Sequence, residues 1–298
     1  MKRMLSWKVV FITGLLFLPH LTWAKPLHIG SISTEPAAEI KEFLPFASYL
    51  AKQLQSEGFD QGKVVVAKSM PEMAAFLKEG KVDLYIDSPF PTMAVSRLSG
   101  SKLLLRRWKK GIGEYHSVIF SKKDTGINRL EDLKGKMLAF EEPFSSSGYF
   151  MPKVALMQEG LKLVAKKEPS DPVAPGEVGY VFSLEDENTM LWVLRGKVVA
   201  GAMDSQKYPN EARANLNSLK ILHKTFSFPR QIVSHRADLP GNLVAKIKET
   251  LIKMDQSEEG KKVMQKFERT SKFDEIPEPS MAPLLKAGRF IDAEIGLR

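Results

Sequence analysis

Residues 142–149 read Glu-Pro-Phe-Ser-Ser-Ser-Gly-Tyr, three consecutive hydroxyls followed by a glycine. Leu138-Ala139-Phe140 before them has the composition of a strand, and about Gly148 to Glu159 that of a helix. The serines therefore fall in a turn that opens a helix. Amides at a helix start have no carbonyl partner one turn back and carry the positive end of the peptide dipoles. Serine hydroxyls add neutral donors, and the glycine lets a ligand come close to the backbone. The combination suits a tetrahedral oxyanion without any charged side chain. Taken alone, the run serves equally well as one N-cap serine in a polar loop.

Other chemistries find less support. There is no G-x-S-x-G, no P-loop and no complete G-x-G-x-x-G. Ser99-Gly100-Ser101-Lys102 fits the S-x-x-K of serine acylases, but it leads into a strand where that chemistry needs the serine to open a helix. His28, His223 and His235 read as ordinary strand residues, and no second ligand stands at helical spacing, so no metal site is legible. Cysteine is absent, which excludes thiolate metal sites and disulfides, and no cofactor is implied. Adjacent carboxylates at a strand end point apart, so Glu141 is expected at the surface. Tyr49 falls on a helical apolar stripe and belongs to a core. Phe90, Phe144 and Tyr149 are candidates for shaping a pocket.

The elements that must carry these residues alternate strand and helix, the pattern of an α/β chain. Strands are expected at 26–32, 64–67, 83–86, 102–106, 116–120, 138–140, 179–182, 198–203 and 232–234. Helices are expected at about 36–56, 71–79, 91–98, 148–159, 241–254, 258–268 and 280–294, with another opened by a capping box at Ser183-Leu184-Glu185-Asp186. Arg106-Arg107-Trp108-Lys109-Lys110 reads as a solvated connector. One echo links the halves: Gly80-Lys81-Val82 and Gly196-Lys197-Val198 each follow a helix and open a strand. The first strand ends at Asp87-Ser88, the second at Asp204-Ser205. Ligands in open α/β sheets sit beyond such carboxyl ends, so two units could face one cleft.

Residues 1–24 have a basic start at Lys2, Arg3 and Lys8, a short apolar run from Val9 to Leu18, and Thr22-Trp23-Ala24 with small residues where a signal peptidase reads them. The expectation is an exported chain beginning at Lys25 and released into the periplasm. The formal charge of +9 falls to +6 when those cations leave. That balance favours an anionic ligand, and with Arg106 to Lys110 as its only dense basic run, read as a connector, an exported chain is not expected to bind nucleic acid.

Tyr115-His116-Ser117-Val118-Ile119, Leu130-Glu131-Asp132-Leu133-Lys134-Gly135-Lys136, Ser145-Ser146-Ser147-Gly148 and Pro152 resemble the phosphate/phosphite/phosphonate-binding proteins of ABC importers. The resemblance is specific over 115–152 and looser elsewhere. It implies a two-lobed type 2 periplasmic binding protein fold, each lobe a mixed sheet flanked by helices, with two hinge crossovers. Lobe one would take 25–107 and 231–298, lobe two 115–205, and the crossovers 108–114 and 206–230. It also implies that Ser145, Ser146, Ser147 and Gly148 grip the oxyanion and that Tyr115 and Asp204 reach the cleft. His116, Ser88, Asp87 and Phe90 complete the expected ligand-binding set. Ser146 stands where the family usually has Thr, and Glu142 where Asp is usual. Asp87 would repel a phosphonate unless it is paired or the ligand carries an amine. The expected protein is a monomer that catalyses nothing and delivers a small anion to a membrane permease. The alternative is a ligand-sensing subunit that signals to a membrane receptor or kinase.

Overall fold

A computed structural model describes residues 25–297; the expected signal peptide lies outside the described residues. In the first half the strands are β1 (Lys25–Ile32), β2 (Phe59–Ala67), β3 (Leu84–Asp87) and β4 (Lys102–Lys109), with helices α1 (Pro36–Gln53), α2 (Met70–Lys78) and α3 (Pro89–Ser99) between them. The short β5 (Glu114–Tyr115) leads to β6 (Ser117–Lys122), β7 (Lys136–Phe140), α4 (Met151–Gln158), β8 (Lys162–Ala165), β9 (Glu177–Phe182), α5 (Asp186–Leu194) and β10 (Ala200–Asp204). Then come α6 (Tyr208–Ala212), β11 (Leu219–Lys224), β12 (Phe228–Pro229), β13 (Gln231–His235), α7 (Gly241–Ile252), α8 (Glu258–Lys266), β14 (Thr270–Asp274), α9 (Glu278–Lys286) and α10 (Gly288–Glu294).

The strands form two six-stranded mixed sheets, ordered β14-β4-β13-β3-β1-β2 and β11-β6-β10-β7-β9-β8. Both have helices packed against them. Strand β3 lies between parallel β1 and antiparallel β13, and β10 between parallel β7 and antiparallel β6. The two strands that follow the Gly-Lys-Val echo thus hold equivalent places in the two sheets. Their Asp-Ser ends correspond as well.

Two segments join the sheets, and they pair with each other. Strand β5 runs antiparallel to β12, with Tyr115 opposite Phe228 and their rings 4.7 Å apart. Residues 206–230 are therefore not all crossover: β11 is an edge strand of the second sheet. Nor does the far carboxyl end belong to one half. Asp292 of α10 pairs with Arg97 of α3, while Glu294 takes Lys153 of α4 at 2.7 Å and also meets Tyr149. The expected single helix over 280–294 is two, α9 and α10, separated at Ala287.

Two further expectations fail for stated reasons. The basic run 106–110 is not a solvated connector, because β4 extends through Lys109 and Arg107 is fully buried. Arg106 forms a two-pronged bond to Asp274 at 2.9 and 2.8 Å, and Arg107 reaches Glu268 at 2.8 Å. Burial is tolerated because each cation has a carboxylate partner. Helix α5 begins at Asp186 rather than at Ser183. Leu184 is left-handed at φ 70°, and the Ser183 hydroxyl donates to the Phe140 carbonyl at 3.1 Å instead of capping a helix. Tyr49 is buried in the α1 core as expected.

Candidate functional site

A cleft of about 550 Å³ opens between the two sheets. The ends of β3 and β10 reach it through Asp87, Ser88 and Asp204, and the serine turn after β7 contributes Ser145 and Ser147. Tyr115 and Arg230 enter from the paired connecting segments. Of the expected ligand-binding set, Asp87, Ser88, Tyr115, Ser145, Ser147 and Asp204 line this cleft.

Following the hydrogens shows what each hydroxyl can still do. Residues 146–150 form one π-helical turn that continues into α4. Ser145 caps it, accepting from the Gly148 amide at 2.9 Å, and gives its own proton to Glu141 Oε2 at 2.7 Å. Ser146 is buried. It accepts from the Phe90 amide at 2.8 Å and donates to Ser88 Oγ at 2.8 Å. A hydroxyl has one proton, so neither Ser145 nor Ser146 has one left for a ligand in this arrangement. Ser88 keeps its own, and Ser147 lines the cleft from the same turn. The Ser146 and Ser147 amides open the helix, where no intrahelical carbonyl stands behind them. Burial pushes the Tyr115 phenol up to about 12, with Arg230 opposing that rise, so Tyr115 stays a neutral donor.

Four expected residues stand outside the lining. Ser146 is engaged as described. Gly148 is set behind the turn, where a Cβ would meet Glu141 Oε2 at 2.4 Å, so its role is to let that carboxyl fold over the turn. Phe90 is fully buried, stacked on Phe150 with centroids 4.0 Å apart. His116 follows Tyr115 on extended chain, and alternation turns the two side chains to opposite faces. Its backbone bonds to Ser205, the amide donating to Oγ at 3.3 Å and the carbonyl accepting from the Ser205 amide at 3.0 Å.

The cleft is dense in carboxyls. Burial pushes Asp87 up to about 6, against bonds from the Ser88 amide at 2.6 Å and the Tyr85 hydroxyl at 2.9 Å. Burial and the neighbouring Asp186 raise Glu141 to about 8, with Lys207 opposing them. Burial raises Glu142 to about 7, helped by Glu185, and Glu39 likewise to about 7. Glu141 is thus no surface residue; its side chain is 15% exposed. Near neutral pH this group carries protons and presents less negative charge than its count suggests. Asp204 faces Arg230 at 3.2 Å, and Asp186 faces Lys207 at 2.5 Å. The Arg230 guanidinium also lies 4.3 Å from the Tyr115 ring centre. Among the described residues no cluster of three or more metal-ligating side chains occurs, and no helix is long and apolar enough to cross a membrane.

Arg230, Lys207, Glu39, Glu268 and Arg269 were absent from the expected set. Arg230 directly follows the Phe228-Pro229 pair of the second connecting segment, the one local hint available. The others come from α1, the α6 approach and the α8 end, and only the tertiary fold brings them in.

Comparisons with known proteins agree with this architecture. The family described as the ABC transporter, phosphonate, periplasmic substrate-binding protein matches residues 29–278. The phosphate-import protein PhnD of Mycolicibacterium smegmatis is 26% identical over 180 residues, 58% of this chain and 53% of its own length. The chain thus spans about half of that relative. The phosphonates-binding periplasmic protein of Escherichia coli is 26% identical over 255 residues, 82% of this chain and 70% of its own. Among solved structures, XAC2383 from Xanthomonas citri bound to chloride superposes with a TM-score of 0.83 at 22% identity, covering 91% of this chain and 97% of that one. The fold is the type 2 periplasmic binding protein fold.

Proposed function

The chain belongs to the family of periplasmic substrate-binding proteins of phosphonate ABC transporters, and from that premise we propose that it captures a small phosphorus oxyanion, of phosphonate, phosphite or phosphate type, in the cleft between its sheets. Ser147 and the Ser146 and Ser147 amides hold the oxygens from one side, Ser88 and Tyr115 from the other. The observation that carries this reading is the proton count. Ser88 and Tyr115 keep protons free for a ligand, Ser147 stands beside Tyr115 in the cleft lining, and most nearby carboxyls are neutralised by protons or cations. Neutral donors at a helix start suffice for such an anion.

In this reading Asp204 balances Arg230 and orients it. The lobes, redrawn on the sheets, take 25–109 with 231–274 and 117–224, and they close about the β5–β12 pair. Differential affinity of the ligand for the closed form drives that closure. The mature protein starts at Lys25 after cleavage behind Ala24, acts as a monomer in the periplasm, turns nothing over and delivers its ligand to an importer permease. Thermal unfolding of residues 25–298 against phosphate, phosphite, methylphosphonate, sulfate and amino acids tests the ligand class. A concentration-dependent rise in melting temperature with a phosphorus oxyanion supports it. A rise with sulfate or an amino acid alone refutes it.

A further inference from the structure

We propose that Lys110, Lys266 and Arg269 form a second anion subsite at the mouth of the cleft, for the far end of a ligand that carries two anionic groups. This rests on the oxyanion reading above and narrows it: the substrate class becomes a phosphorus oxyanion whose organic group ends in a carboxylate or a second phosphorus oxyanion.

Every other cation lining the cleft has a carboxylate within ion-pair distance: Lys109 meets Glu268, Lys207 meets Asp186 and Arg230 meets Asp204. Lys110, Lys266 and Arg269 line the same cleft, and among the described residues none has a carboxylate within 4.0 Å. Glu268, nearest in sequence, is already engaged. Although burial opposes it, Lys109 and Arg107 hold that carboxyl at about 2.

The backbone brings Lys110 and Arg269 together, and Lys266 ends α8 three residues before Arg269. Lys110, Glu268 and Arg269 have φ of 57°, 48° and 53°. They are three of the five left-handed non-glycine residues among those described, and all three line the cleft. Side-chain-bearing residues adopt that conformation at a cost, and such positions gather at ligand sites. The Lys110 amide donates to the Arg269 carbonyl at 2.9 Å, so the turn after β4 is tied to the turn after α8. The result brings like charges together. Burial lowers the Lys110 pKa, and Arg269, Lys207 and Arg230 lower it further. A ligand anion would relieve that repulsion. The serine turn lies on the second sheet and these three cations on the first, so a ligand bound at both ends would also favour the closed lobes.

Calorimetric titration of the mature chain at physiological ionic strength compares propylphosphonate with 3-phosphonopropanoate and 1,2-ethylenediphosphonate. Both dianionic-ended ligands should bind at least about tenfold more tightly, the effect of one charge-assisted contact. In Lys110→Gln, Lys266→Gln and Arg269→Gln that ratio should shrink, and in the triple variant it should approach one. The three side chains are exposed, and unchanged melting curves would verify folding. Equal affinity for all three ligands overturns the subsite and leaves the oxyanion reading standing. So does an equal loss for all three in the variants, which would mark a general attractive field. If none of the three binds while phosphate or phosphite does, the subsite falls and the oxyanion reading stands; if no phosphorus oxyanion binds, both fail.

Discussion

Replacing the three serines one at a time separates a donor that touches the ligand from donors engaged within the protein. Ser147→Ala removes a hydroxyl that lines the cleft beside Tyr115, where both can turn to a ligand oxygen. A hydrogen bond to a charged oxygen contributes roughly 1.5–3 kcal/mol, so Kd should rise about 10- to 150-fold. Ser145→Ala removes the cap on the Gly148 amide and the donor to Glu141 instead. Loss of a cap costs about 1 kcal/mol of stability, which in a chain of this size lowers the melting temperature by about 2–4 °C. Affinity should change by less than about threefold, since no ligand contact is lost. Ser146→Ala leaves the buried Phe90 amide without an acceptor, at about 1–3 kcal/mol. It also frees Ser88 from the bond that orients it, so both stability and affinity should fall. Titration calorimetry with the phosphonate identified by thermal shift, beside melting curves of the same variants, reads both quantities. If Ser145→Ala weakened binding as strongly as Ser147→Ala with an unchanged melting curve, the assignment of protons would be wrong.

Two further outcomes follow from the carboxyls. Glu141, Glu142 and Glu39 are raised from the usual 4.5 to about 8, 7 and 7, and Asp87 from 3.8 to about 6. The folded protein keeps protons that the unfolded chain has released, so these groups contribute stability below about pH 4 that is lost progressively up to about pH 8. The ligand-free melting temperature should therefore fall between pH 6 and 9, and Glu141→Gln should flatten the upper part of that fall; an undiminished slope in this variant would refute the assignment. Glu268 works in the opposite direction, contributing above pH 4.5 and losing its contribution as pH falls toward 2. Gly148→Ala would set a methyl 2.4 Å from Glu141 Oε2 and displace that carboxyl. Overpacking of this kind costs about 1–3 kcal/mol, measurable by urea denaturation, and wild-type stability in the variant would refute the close packing.

What could be read along the chain is what the chain determines locally. The serine turn, the strand before it and the helix after it follow from composition and spacing, as does the pair of strands ending in Asp-Ser. The proton directions at the turn do not follow, because the acceptor for Ser146 is Ser88, in the other half of the molecule. The burial of Arg106 and Arg107 is not legible for the same reason. Their partners Asp274 and Glu268 lie more than 160 residues away, and a basic run without a visible counter-charge looks solvated. His116 differs: an expected strand starting at 116 leaves Tyr115 outside it, and the chain direction that separates the two side chains appears only in the fold, where Tyr115 lines the cleft and His116 does not.

The equivalence of β3 and β10 carries the argument one step further. Each ends in Asp-Ser at the cleft, yet the two aspartates are balanced by different means. Asp204 has Arg230 at 3.2 Å, a full opposite charge. Asp87 has no ion-pair partner among the described residues; the Tyr85 hydroxyl and the Ser88 amide bond to it, Lys109 acts from farther off, and burial outweighs them and moves it toward its protonated form. An anion between the two strand ends therefore meets a neutralised pair on one side and a titrating carboxyl on the other. If a phosphorus oxyanion binds there, ionising Asp87 must oppose it, so at a given pH above about 6 Asp87→Asn should bind phosphite more tightly than the unsubstituted protein does, with little difference below it. Weaker binding in that variant at every pH would instead mean that the carboxylate accepts a hydrogen bond from a ligand hydroxyl.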